Sequence, residues 1–188
     1  MVTIQFTIRG TTPMLQHNPA SMARPTTTPT RKVIPSPEDE AELGAYRMGN
    51  GALGVPSTAV RNAILSGSKG LRIGKSAARP YFAGALLIAE AMFPLLDADM
   101  QPLTNYVVDI QRAVIQKQGI LRARPRIDPP WLVACSFRFN PIVSAAQLEV
   151  ALRQAGEVVG LGDYRIEKNG WYGAFEQDGE IQTNGVEQ

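Results

Sequence analysis

Two segments near opposite ends of the chain constrain the fold most, because each alternates apolar and polar residues with a period of two. In residues 2–9 the even positions hold Val, Ile, Phe and Ile, and in residues 131–139 the odd positions hold Trp, Val, Cys and two Phe. Successive side chains of a strand point to opposite faces. Each segment therefore predicts a strand with one buried and one exposed face.

Two further segments have the apolar spacing of amphipathic helices. The first covers residues 58–66, and the second follows Ser144 and continues to Val159. Ser57 and Ser144 stand directly before them, and serine is a preferred residue at the start of a helix, where its hydroxyl accepts a bond from the backbone. We therefore expect both serines to act as N-caps.

Residues 86–95 form a nearly continuous apolar run of strand length, which predicts a buried strand. Residues 106–115 and 120–127 flank a turn-like sequence containing glycine, so this pair predicts an extended hairpin. Pro125 in the second arm has no N–H to donate, which favours an edge position for that arm. A last short strand is predicted at 171–176.

The element order is strand, helix, strand, hairpin, strand, helix, strand. It predicts an α+β fold of the ferredoxin-like or RNA-recognition type, βαββαβ, in one domain over residues 1–188. Residues 103–128 form the hairpin insertion between the second and third strands. Residues 19–50 form a long flexible loop insertion, because residues 19–37 are rich in Pro and Thr, and a short helical stretch is expected at 38–48.

The charge is unevenly distributed along the chain, although the whole carries only +2. Residues 61–126 hold ten basic and four acidic residues, which gives +6, whereas residues 139–188 hold three basic and eight acidic residues, which gives −5. This polarity predicts a basic face for a polyanion and a head-to-tail match between copies of the chain.

The second arm of the hairpin has arginine at every second position, at Arg122, Arg124 and Arg126. If the arm is extended, these side chains share one face at intervals of roughly 6.6 to 6.8 Å. Such a row could follow a phosphate backbone, since each guanidinium offers a planar set of donors. The alternative is a solvated edge strand that its charges protect from aggregation.

A glycine-rich segment, GLGDYRIEKNGWYGAF, occupies residues 160–175. It follows a helix and precedes a strand, which is the reverse of the dinucleotide-binding order. Its glycines would allow close approach to a nucleic acid or to another chain, or they would form a tight turn. We expect Tyr164 to stack on bases, whereas Trp171, Tyr172 and Phe175 are expected in the core or at a subunit contact.

The open face of the predicted sheet presents no aromatic pair. It would carry Thr3, Gln5, Thr7 and Arg9 beside Leu132, Ala134, Ser136 and Arg138. Base stacking on central strands is therefore not expected, and binding would use the backbone of the nucleic acid. The candidate nucleic-acid-binding residues are Arg61, Lys69, Arg72, Lys75, Arg79, Arg112, Lys117, Arg122, Arg124, Arg126, Gly160, Gly162, Tyr164, Arg165 and Lys168.

Two segments resemble a known family. The GLG sequence followed by G-W-Y-G-A-F, together with VPSTAVRNAIL, is similar to the RAMP superfamily of CRISPR-associated proteins, and closest to the backbone subunits of effector complexes. The resemblance implies a modified RNA-recognition fold with a hairpin "thumb". It also implies a non-catalytic subunit that polymerises along single-stranded RNA, with other effector-complex subunits as partners. The chain departs from the family by being short for a backbone subunit and by having G-W-Y-G where G-x-G is commoner, so the resemblance implies a reduced or phage-encoded relative.

Other function classes stay open. His17 is a weak candidate base for a metal-independent endoribonuclease, and a single-stranded DNA-binding phage protein or a scaffold for an acidic protein are further alternatives. Glu38, Asp39, Glu40 and Glu42 would form a helix start or hold a metal for nuclease work. We predict no cofactor, no metal and no membrane contact. One cysteine and no secretory signal predict a cytoplasmic protein.

Overall fold

The computed structural model describes residues 1–22, 35–115 and 118–185 of the chain. Within them the strands are β1 (Val2–Gly10), β2 (Met14–Leu15), β3 (Gly54–Pro56), β4 (Arg72–Ile73), β5 (Ser76–Ala77), β6 (Leu86–Ile88), β7 (Met92–Leu96), β8 (Val107–Ile115), β9 (Gln118–Ile127), β10 (Leu132–Phe139) and β11 (Phe175–Asn184). The α-helices are α1 (Pro37–Gly44), α2 (Ser57–Gly67), α3 (Arg79–Ala85) and α4 (Ala145–Gln154). Short 3-10 turns occur at Pro19–Met22 and Ile166–Lys168, and a π-helical turn at Ala155–Val159 extends α4.

The main sheet has the order β11-β1-β10-β7-β3, and every neighbouring pair is antiparallel. The short strand β6 pairs with β10 beyond the end of β7. The predicted α+β class is therefore confirmed.

The core lies between one face of this sheet and the helices. Apolar residues of β1 and β10 join residues of α2, α3 and α4 in one buried cluster. The period of two in β1 and β10 and the helical stripes were sufficient to identify most of this cluster, because both patterns mark the buried face directly. Leu132 was expected on the open face but is buried. Its partner Leu96 is also buried and bridges to Pro102, so the chain turns back beside this pair.

The two predicted helix caps had different outcomes. The Ser144 hydroxyl accepts a bond from the Gln147 backbone N–H at 3.2 Å, and the Gln147 side chain accepts from the Ser144 N–H, which completes a capping box. The predicted cap at Ser57 is wrong. Its buried hydroxyl donates to the carbonyls of Glu90 and Ala91, and it fastens the start of α2 to the chain before β7.

The predicted hairpin is present, with β8 and β9 in register from Val107 opposite Arg126 to Ile115 opposite Gln118. The edge position predicted from Pro125 is wrong, since β9 lies between β8 and the two-residue strand β2. Proline lacks only a donor, and its carbonyl accepts from the Gln16 N–H at 2.9 Å. Because the neighbouring strand β2 is only two residues long, Pro125 is tolerated in the central strand of the small sheet.

Three other boundaries differ from the sequence predictions. The apolar run at 86–95 is divided into β6 and β7, and α3 stands directly before it, where no helix was predicted. The last strand begins at Phe175, so Trp171 lies in the preceding loop. The short helical stretch expected at 38–48 within the predicted loop is confirmed as α1, while residues 23–34 lie outside the described part of the chain.

None of the helices among the described residues has the length and apolar character needed to cross a bilayer.

Candidate nucleic-acid interface

The three arginines of β9 do lie on one face, as the period of two predicts, but each contacts a carboxylate of the same chain. Their side chains are largely covered. The ion pairs are Arg122 with Glu40 at 2.8 Å, Arg124 with Asp163 at 2.8 Å, and Arg126 with Asp128 at 2.9 Å and with Asp109 at 3.2 Å.

The predicted row of cations on β9 is therefore present, but each member is already paired with a carboxylate, and its binding to phosphates stays a prediction. A guanidinium that already neutralises a carboxylate gains little from a phosphate, because the existing pair must first be broken. Hydrogen bonds to Asp128 raise the pKa of Arg126 above its ordinary value. The arginines instead fasten the hairpin to α1 and to the residues after α4, which the sequence pattern could not reveal.

The acidic run of α1 stabilises the helix and the hairpin. Ser36 caps α1 by accepting from the Asp39 N–H at 3.1 Å, and the acidic residues stand in the first turn, where carboxylates are favourable. Glu40 contacts both Arg122 and the backbone N–H of Ala123. No cluster of His, Cys, Asp and Glu that could hold a metal occurs in the described ranges.

Glu42 connects α1 with the base of the hairpin. Arg47 and the hydroxyl of Tyr106 both donate to it, at 2.9 and 2.8 Å. These hydrogen bonds lower the pKa of Glu42 to about 2, the one from Arg47 most, while burial and Glu42 raise the pKa of Tyr106 to about 12. Because the pKa of Glu42 is lower in the folded state than in the unfolded chain, the ionised carboxylate stabilises the fold. This stabilisation is fully present at pH values above the ordinary carboxyl pKa and is lost as the pH falls toward 2.

Cations with exposed side chains are concentrated in residues 69–79, which we name the basic hairpin because β4 and β5 pair within it. Lys69 forms an ion pair with Glu167 at 3.2 Å. Arg72 donates to the carbonyl of Lys75 at 3.0 Å. For Arg72, Lys75 and Arg79, no ion pair exists with any carboxylate in the described residues. The segment itself contains no acidic residue, so the charges of these three residues are not compensated within it.

The remaining predicted cations have different environments. Arg61 donates to the carbonyls of Leu86 and Ala83, at 2.7 and 2.6 Å, and so stabilises the end of α3 instead of facing a ligand. Arg112 is exposed on β8, and Lys168 is exposed in the loop after α4. Arg165 pairs with Glu167 at 3.0 Å. Lys117 lies outside the described residues.

The segment between α4 and β11, residues 160–173, is named the glycine loop. Gly160, Gly162 and Gly173 all have positive φ angles, of 76°, 81° and 73°. A Cβ at Gly162 would overlap the carbonyl of Leu15, and one at Gly173 would overlap that of Leu161. These glycines therefore allow two parts of the chain's own backbone to approach each other closely. This is the tight turn that was the alternative to contact with a nucleic acid or another chain.

The aromatic residues of the glycine loop are arranged differently from the prediction. Tyr172 is buried as expected, and its ring centre lies 4.4 Å from that of Trp171 and 6.4 Å from that of Tyr164. Trp171 itself is exposed, which rules out the core and leaves the subunit contact of its two predicted places, whereas Tyr164 is exposed as a stacking residue must be. Nothing in the sequence indicates that Trp171 is exposed, because an aromatic cluster before a strand is also typical of core residues.

A cavity of about 350 Å³ lies between α2 and the glycine loop, and His17, Tyr46, Asp163 and Arg165 are among its lining residues. The Tyr46 hydroxyl donates to the carbonyl of His17 at 3.3 Å. Burial raises the pKa of Tyr46, and the negative charge of Asp163 adds to the effect. Sequence reasoning found no tyrosine partner for His17, because Tyr46 is distant in sequence and is brought there by the fold.

The open face of the sheet is polar and partly acidic. The register of β1 with β10 places Thr3, Gln5 and Thr7 opposite Arg138, Ser136 and Ala134. A groove of about 460 Å³ on this face is also lined by Glu90, Asp178 and Glu180. Asp178 is paired with Arg9 at 3.3 Å, so the face carries charges of both signs, and the missing aromatic pair is what disfavours the usual RNA-recognition mode.

A comparison with protein-family models finds no match, and no curated protein is significantly similar to the chain. The likeness to RAMP proteins therefore stays a prediction that depends on the quoted residues alone.

Proposed function

We propose that this protein is a non-catalytic subunit that binds single-stranded nucleic acid, preferentially RNA, and assembles in copies along the strand. The observation that carries the proposal is the basic hairpin, where Arg72, Lys75 and Arg79 are exposed and have no carboxylate partner within the described residues. Uncompensated cations on an exposed segment attract a polyanion, and the release of counterions makes the contact favourable.

The arrangement of the main sheet supports a ferredoxin-like domain of the RNA-recognition type. Counting β6 and β7 as one interrupted strand, the four long strands lie in the order last, first, third and second. A βαββαβ chain produces this order when each helix crosses the same face. The hairpin of β8 and β9 is inserted between the second and third strands, where the resemblance to RAMP backbone subunits implies a thumb.

The expected binding mode is contact with phosphates instead of base reading on the sheet. Cations without an ion pair in the described residues are concentrated on the basic hairpin, whereas the open sheet face carries charges of both signs. Contacts to phosphates position a strand and carry little sequence information. The protein should therefore bind many sequences with similar affinity.

The test is a binding titration with fluorescently labelled oligonucleotides. Single-stranded RNA and DNA of several sequences should bind more tightly than the matched duplexes, with RNA tightest. On longer strands, sedimentation should show protomers added in steps. Absence of binding to any single strand at low salt, or a clear preference for duplex, would contradict the proposal.

The cavity beside His17 supports a second candidate, a metal-independent endoribonuclease. His17 and Tyr46 line the same cavity, which would place a base and a hydroxyl proton donor beside one substrate, although burial raises the pKa of Tyr46 and so makes it a weaker acid. The non-catalytic proposal expects labelled RNA to stay intact in EDTA. Cleavage that persists in EDTA and is lost in both His17→Ala and Tyr46→Phe would establish the second candidate instead.

A further inference from the structure

The glycine loop carries an exposed aromatic surface that phosphate contacts leave unused. Trp171 is 58% exposed and Tyr164 is 49% exposed, whereas Trp131, the other tryptophan of the chain, is 0% exposed. Exposed large aromatic side chains that pack against one buried ring mark a contact surface, because a ligand or partner would remove their apolar area from water.

The residue beneath Trp171 fixes the orientation of the indole. Tyr172 is buried, its hydroxyl bonds to the side-chain amide of Gln111 on β8, and its backbone bridges to Arg165. The two rings are 4.4 Å apart at an interplanar angle of 34°. One face of Trp171 therefore packs on Tyr172. When a ligand stacks on the other face, the Trp171 side chain loses little conformational entropy.

Tyr164 is held next to the same buried ring. Its φ of 51° is in the left-handed region, and its carbonyl lies where a Cβ of residue 170 would be, so only glycine fits there. The two arms of the loop are thereby closed against each other. Tyr164 and Trp171 each contact Tyr172, with the Tyr164 ring 6.4 Å from it.

The charges around these rings suit an anionic ligand. The loop has two carboxylates, and both are neutralised, Asp163 by Arg124 and Glu167 by Lys69 and Arg165. Lys168 has no ion pair with any carboxylate of the described ranges. A nucleotide at this surface would meet compensated acidic residues and one free cation.

We propose that Trp171, with Tyr164 beside it, is a stacking platform for one unpaired nucleobase per protomer. This inference rests on the proposed function and deepens it, because it adds a base contact to the phosphate contacts of the basic hairpin. Stacking on an aromatic side chain tolerates every base, since each has a π-face. The platform therefore selects single strands over duplexes, whose bases are already stacked.

Trp171 fluorescence tests the platform in the intact protein, because the buried Trp131 should not respond to ligand. The probes are a single-stranded oligonucleotide, an abasic oligonucleotide of the same length, and polyphosphate. We expect quenching by the first only, although all three bind. Trp171→Ala should weaken binding of the first probe by about 5- to 100-fold, and Trp171→Phe should retain most of the affinity.

The control variant is Val158→Ala, which removes a similarly exposed apolar side chain outside the aromatic cluster and should leave affinity unchanged. If the oligonucleotide binds without quenching and Trp171→Ala binds like the wild type, the platform is wrong while the proposed function stands. If none of the three probes binds, the proposed function fails. If Trp171→Ala loses only self-association in sedimentation, the surface is a protein contact and the platform is refuted.

Discussion

Replacing Gly173 with alanine should be strongly destabilising. Its φ of 73° costs a residue with a Cβ about 1–2 kcal/mol. The added methyl group would also overlap the carbonyl of Leu161, whose N–H donates to the Gly173 carbonyl at 2.9 Å, and forced overpacking costs about 1–3 kcal/mol more. We expect a total loss of about 2–5 kcal/mol, a large part of the stability of a domain of this size.

Gly179→Ala is the matched control, because Gly179 has a φ of 78° but nothing within 4 Å of the added Cβ. It should show only the backbone cost of about 1–2 kcal/mol. Urea unfolding of the two variants and the wild type gives the comparison. Equal losses of unfolding free energy in both variants would mean that the contact between Gly173 and Leu161 contributes nothing.

The elements that the sequence predicted well are those whose pattern encodes their own burial. The odd residues of β10 are all buried, and Ser144 caps its helix as expected, because these features depend on neighbours along the chain. The division of residues 86–96 into β6 and β7 was missed, since an apolar run has no period that would mark an interruption. The edge position predicted from Pro125 was wrong, because the missing backbone N–H of a proline does not indicate how short the neighbouring strand is.

The candidate site was predicted less completely, because it depends on contacts between distant segments. Arg122, Arg124 and Arg126 were correctly assigned to one face, but their partners come from α1, the glycine loop and the hairpin itself. A charge pattern in one strand cannot identify which carboxylates fold against it. Likewise, nothing local distinguishes the exposed Trp171 from the buried Trp131.

Salt dependence distinguishes the two groups of cations. If Arg72 and Lys75 each neutralise a phosphate, log affinity for a single strand falls against log salt by about 0.7 per contact. The double variant Arg72→Gln with Lys75→Gln should therefore flatten the slope by about 1.4 and weaken binding most at low salt. The charge-matched control is Arg138→Gln with Arg153→Gln, two exposed arginines on the open sheet face and on α4, and it should leave the slope nearly unchanged.

Arg122→Gln completes the comparison, because it removes the same charge from a residue that is already paired. Its slope should equal that of the wild type. Its unfolding free energy should fall, since the half-buried Glu40 loses its partner. A flattened slope in Arg122→Gln together with an unchanged slope in the Arg72 and Lys75 variant would reverse the assignment, because the β9 arginines would then leave their carboxylates to bind phosphates.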